Sequence, residues 1–162
     1  MTTIWERMSN LSNGRAGSVL VAAGFFIVCL PMLAIAPTHG DGAEQVMTAV
    51  LGGVAHPPGF PLQAWLNRLF LLLPFPHPST SLALLSLIAH AVAVFALLQA
   101  TRTLGLHLPA RLVSAAAFGL FAPVWHLGLI PEVFALVHAL LALLLWQLAW
   151  LSTRAVDDRS VT

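Results

Sequence analysis

The chain has 162 residues, 59 % of them hydrophobic and 8 % charged, with a formal net charge of +1 and a mean hydropathy of +0.89. A soluble domain carries roughly 25 % charged residues, so there are too few charges here to cover a globular surface. This composition excludes a soluble single domain, a disordered chain and a nucleic-acid binder, which needs a basic stripe, and it defines an integral membrane protein. There is no lysine and no tyrosine, and the lone Cys29, set in an apolar run, rules out a disulfide framework.

Four segments reach the roughly 20 apolar residues that a membrane-spanning helix needs. The first is 17–36, with Pro31 as an expected kink. The second is 81–100. The third and fourth, 112–129 and 131–151, divide one long apolar stretch at Gly128-Leu129-Ile130-Pro131. A proline there suits the first position of a new helix, where the missing N–H costs nothing. The first segment is also open to reading as a cleaved signal peptide, with Arg7 and Arg15 as its charged region and Ala34-Ile35-Ala36 as its cleavage site. The run exceeds the roughly 7–15 residues of a signal h-region, and Pro37 directly after the site hinders cleavage, so a retained helix is expected.

Between the first two spans lies a loop, Pro37 to Thr80. Within it, Pro61 to Leu73 is too short to cross and is bracketed by prolines, which predicts an amphipathic helix lying on the membrane surface. The arginines then set the orientation. With a cytoplasmic N-terminus and four spans, Arg7, Arg15, Arg102, Arg111, Arg154 and Arg159 fall on the cytoplasmic side, and Arg68 alone lies outside. A five-span arrangement would place the Arg102–Arg111 loop outside. Glu6, Asp157 and Asp158 sit in polar cytoplasmic tails beside arginines, whereas Asp41, Glu44 and Glu132 gather on the outer face.

Asp41 to Leu51 reads as a short helix that Gly52-Gly53 ends. Asp41 as N-cap with Glu44 three residues later would form a capping box, and spacing alone leaves capping and catalysis both open. His56-Pro57-Pro58-Gly59 follows as a stiff turn, and Pro61 starts the surface helix.

Three blocks in this order carry a family resemblance: Asp41-Gly42-Ala43-Glu44, then Gly53-Val54-Ala55-His56-Pro57-Pro58-Gly59-Phe60-Pro61-Leu62, then Pro131-Glu132-Val133-Phe134-Ala135-Leu136. The segment resembles the start of the bacterial protein O-mannosyltransferase-like membrane family, a domain of unknown function in the GT-C glycosyltransferase class. The family shows Asp-Ser-Gly-Glu where this chain has Asp-Gly-Ala-Glu, and tyrosine where it has Phe60 and Phe134. Both changes remove hydrogen-bonding groups and leave the carboxylates in place.

The resemblance implies an all-α polytopic membrane protein corresponding to the N-terminal part of the GT-C fold, with residues 1–162 as one membrane domain. It implies transfer of a sugar from a polyprenyl-phosphate carrier to a protein or lipid acceptor on the non-cytoplasmic face, at a bacterial inner membrane. Asp41 is the expected general base, with Glu44 orienting it or the acceptor. His56 and Arg68 are candidates for phosphate contact, and Glu132 for a second acidic contact. No cofactor is certain. Asp41, Glu44 and His56 can be imagined around a divalent metal, but their spacing matches no specific metal motif.

Each role has a plainer counterpart. His56 can fix the loop, Arg68 can snorkel to lipid headgroups, and Glu132 can sit at a helix start for the macrodipole. The expected partners are membrane lipid, lipid-linked sugar, a protein or glycan acceptor, and a partner chain or oligomer, since family enzymes are longer and this chain reads as a truncated product or short paralogue. The alternative function is a non-catalytic membrane subunit or remnant of that family. A transporter is disfavoured, because no span carries a repeated polar face or paired broken helices. His90 and His138 lie inside spans, with Gln99 and Gln147 nearer the cytoplasmic ends, and all read as interhelical hydrogen-bonding glue. Trp146 and Trp150 read as interfacial anchors.

Overall fold

A computed structural model describes residues 14–36 and 40–160, with only the backbone at 156–160. Glu6, Arg7 and Pro37, and the side chains of Asp157, Asp158 and Arg159, lie outside the described residues. The described chain is all helical. The elements are α1 (Arg15–Cys29) with a 3-10 turn (Leu30–Met32), α2 (Asp41–Leu51), α3 (Pro61–Phe70), α4 (Pro78–Thr103), α5 (Leu108–Gly119), α6 (Ala122–Leu127) and α7 (Val133–Ser160).

Three helices are long and apolar enough to cross a membrane: Arg15–Met32, Pro78–Thr103 and Val133–Ala155. The chain is therefore a membrane protein. Pro31 lies in the 3-10 turn that closes the first span instead of kinking its middle. The segment expected as a continuous third span, 112–129, is instead two short helices, of 12 and 6 residues, broken at Leu120-Phe121. Gly119 ends α5 and Pro123 stands in the first turn of α6, so the backbone ladder cannot run through. The broken segment still runs the height of the bundle. At one end Arg111 Nη2 donates to Ser18 Oγ of α1 at 3.3 Å, and at the other the Ala34 N–H donates to the Leu129 carbonyl at 3.0 Å.

α4 is the central helix and packs on α1, α5, α7 and both short helices α2 and α3. Its seam with α7 is made of alanines: Ala89, Ala93 and Ala96 meet Ala135, Ala139 and Ala142. Small residues at helical spacing let two backbones approach closely, which is how apolar helices associate where no hydrophobic drive separates them from lipid. The pairing of Ser86 with Glu132 near the start of both helices, and of Phe95 with Trp146 further along, makes α4 and α7 parallel.

The intramembrane histidines are held by rings. His90 stacks between Phe25 at 5.1 Å and Phe118 at 5.6 Å, and His138 meets the edge of Phe118 at 5.8 Å. His90 thus joins α1, α4 and α5 through a three-ring stack. Gly128 completes the fit, since a Cβ there would lie 2.9 Å from His90 Nδ1.

Candidate functional site

The bundle end that carries the starts of α4 and α7 is covered by α2, the 52–60 loop and α3. Gly40, at φ 72°, turns the chain so that Asp41 enters α2 as its first residue. Gly52, at φ 79°, ends that helix as its left-handed cap, as its sequence position requires. No side chain caps α2, so the capping box, one of the two readings the spacing left open, does not form. The reason is the destination of Glu44. Its Oε1 accepts from the His56 backbone N–H at 2.7 Å, and its Oε2 lies 2.5 Å from His56 Nδ1. An imidazole and an amide aimed together hold a carboxylate better than one backbone N–H.

This bond raises His56 above the ordinary histidine value, mainly through the side-chain contact and then through the charge of Glu44. The same contact, with the backbone N–H, holds Glu44 below the ordinary carboxylate range. Asp41 joins them: one donor atom from each of Asp41, Glu44 and His56 falls within 4.8 Å of the others. Two carboxylates and an imidazole form a chemically sensible set for a divalent cation, which would have to share or replace the direct Glu44–His56 contact.

Phe60 shapes the far wall. It adopts φ 41°, uncommon for a bulky side chain, and its ring meets the His56 ring edge-on at 5.6 Å. The Pro57–Pro58 peptide between them is cis.

Glu132 approaches from the bundle. It is 7 % exposed and just precedes α7, tied by its N–H to Ser86 Oγ at 3.2 Å. Burial raises its carboxyl above the usual range, and the charge of nearby Asp41 adds to the shift. Its Oε2 has no hydrogen-bond partner among the described residues. Arg68 stands apart from this cluster. Its Nη2 donates to the Gly53 carbonyl at 3.4 Å, beside a groove of about 290 Å³ lined by Val54, Pro58, Trp65 and Arg68.

α3 turns its polar amides inward and its large apolar side chains outward. Its buried residues are Gln63 and Asn67, while Leu62, Leu69 and Trp65 (80 % exposed) point outward. The buried amides form a chain that the sequence reading missed: Gln63 Nε2 donates to Asn67 Oδ1 at 3.0 Å, and Asn67 Nδ2 donates to Gln45 Oε1 at 2.9 Å. This chain locks α3 onto α2 one residue from Glu44. The legible signal was a polar pair four residues apart in a helix whose other residues, Arg68 excepted, are apolar.

The fold and this end of the bundle define a polytopic helical membrane protein with a carboxylate–imidazole cluster mounted on a capping loop. Residues 41–161 match the family described as protein O-mannosyl-transferase TMEM260 N-terminal domain, and the chain belongs to that family. No curated protein and no solved structure matches it.

Proposed function

We propose that this chain is the N-terminal, carboxylate-bearing part of a GT-C-type glycosyltransferase. It would transfer a sugar from a polyprenyl-phosphate carrier to a protein or lipid acceptor on the non-cytoplasmic face, with both termini in the cytoplasm. The observation that carries the reading is the meeting of Asp41, Glu44 and His56 at the head of α2, with Glu132 close to Asp41. The family match begins at Asp41, the first residue of that cluster.

The chemistry follows from the charges. Asp41, whose carboxylate is committed to no helix cap, accepts the proton of the acceptor hydroxyl. The acceptor oxygen forms its bond to the anomeric carbon as the carbon–oxygen bond to phosphate breaks, and the electron pair leaves with the lipid phosphate. The contact with Glu44 raises His56 and so favours its protonated form, and that imidazolium would face the growing phosphate charge with Nε2. Arg68, on the groove lined by Val54 and Trp65, is the proposed contact for a lipid phosphate. A divalent cation, if one is used, would be held by Asp41, Glu44 and a neutral His56, and would then replace the imidazolium as the positive charge toward the leaving group.

The test is an in-membrane assay with labelled polyprenyl-phosphate sugars. Asp41→Asn should lower transfer by about 100-fold or more, the range a general base contributes, with membrane insertion unchanged. Undiminished transfer by that variant would sink the catalytic assignment and favour a non-catalytic subunit.

A further inference from the structure

At the opposite end of the bundle from the carboxylates lies a second cavity, of about 560 Å³. Its walls are Arg15 at the start of α1, Gln99 and Arg102 near the end of α4, and Trp146, Gln147 and Trp150 of α7. Three features point to an anion. First, no carboxylate pairs with Arg15 or Arg102 among the described residues. Asp157 lies seven residues beyond Trp150 on the same helix, about 10 Å further along the axis. Second, Gln99 is 2 % exposed, and while its Oε1 accepts from Arg102 Nη1 at 3.5 Å, its Nε2 has no partner among the described residues. A buried amide donor lining a cavity is costly unless an acceptor enters. Third, α1 begins here at Gly14, which offers no capping side chain, so the positive end of its dipole lies on the same side.

We infer that this cavity is a binding site for a phosphate-bearing anion, carried by a lipid headgroup or free in solution. Its oxygens would accept from the Arg15 and Arg102 guanidinium groups and from Gln99 Nε2. The two indoles supply the amphipathic wall that suits the first carbons of a glycerolipid. Arg154, stacked 3.8 Å over the Trp150 ring, adds a cation close by. The site is independent of whether the carboxylate cluster transfers sugar.

The experiment uses the full chain in phosphatidylcholine nanodiscs. One arm adds phosphatidylglycerol and counts retained lipid by native mass spectrometry; the other titrates inorganic phosphate by calorimetry. Retained phosphatidylglycerol that phosphate does not displace assigns a lipid headgroup, and saturable phosphate binding assigns a free anion. In either case Arg15→Gln and Arg102→Gln should each weaken binding roughly tenfold, as loss of a charge-assisted contact does, with helical content unchanged by circular dichroism. Neither ligand bound above the phosphatidylcholine background overturns the proposal. So does binding that both variants retain in full, or wild-type binding that high salt leaves untouched.

Discussion

Glu44 and His56, twelve residues apart in the chain, are joined twice: one carboxylate takes both the backbone N–H and the ring nitrogen of the same histidine. That double contact ties the two ends of the 45–55 segment together and leaves Nε2 as the outward nitrogen of the imidazole. It also converts a helix-start acid from a capping group into the anchor of a loop.

The pair should therefore work within a pH window. His56 is raised, so its contribution is fully present below its ordinary value of 6.5 and fades as pH rises through the folded value. Glu44 is lowered, so its contribution is present above 4.5 and is lost as pH falls through its folded value. Nuclear magnetic resonance titration of His56 should give a midpoint above the ordinary one, and Glu44→Gln should bring it back. A His56 midpoint unmoved by that substitution would show that the bond is not made in the membrane.

Glu132 should behave in the opposite sense to an ordinary carboxylate. Its pKa is raised, first by burial and then by Asp41, so its contribution to stability is fully present below 4.5 and is lost as pH rises through the folded value. Glu132→Gln should be more thermally stable than wild type at mildly alkaline pH, with the gap closing in acid. Asp41→Asn should lower the Glu132 midpoint, read from selectively labelled carboxyl carbon. A constant gap across pH would remove the ionisation argument.

The buried amide chain makes α3 a dependent of α2. Asn67→Ala leaves Gln45 Oε1 and Gln63 Nε2 without the partner that now joins them. It should cost about 1–3 kcal/mol, the usual penalty for a stranded buried polar group. Hydrogen exchange should rise first in Pro61–Phe70, while the alanine seam of α4 and α7 stays protected. Uniform loss of protection would instead mark α3 as integral to the bundle.

At Gly128, an added methyl would meet the His90 ring, itself clamped between Phe25 and Phe118. Gly128→Ala should destabilise by about 1–3 kcal/mol through overpacking. The double variant with His90→Ala should lose less than the sum of the singles, because the clash and the ring are one interaction. Simple additivity in thermal unfolding would contradict the contact.

Much of this architecture was open to a reader of the sequence. The membrane itself follows from a charge content too low for any water-facing surface, and the α2 and α3 boundaries follow from Gly52 and Pro61, whose backbone geometry is local. The acids at 41, 44 and 132 could be sorted to one end by counting crossings. What counting could not give was partnership. Spacing left Glu44 open to capping or to a part in catalysis, and only the path of the loop brought it to His56, twelve residues on. The break at Leu120-Phe121 was hidden for a related reason: Gly119 and Pro123 both sit in an apolar run that hydropathy reads as continuous.

The low charge of the chain, set by composition alone, determined that it is a membrane protein, and Gly52 and Pro61 marked the end of α2 and the start of α3. The tertiary structure decided the rest. It placed Asp41, Glu44, His56 and Glu132 at one end, turned Gln63 and Asn67 inward and Trp65 outward, and opened an arginine-walled cavity at the far end. Local rules fix φ, ψ and hydrophobicity residue by residue, but hydrogen bonds between distant side chains depend on how helices settle against one another, and only the packed fold contains that information.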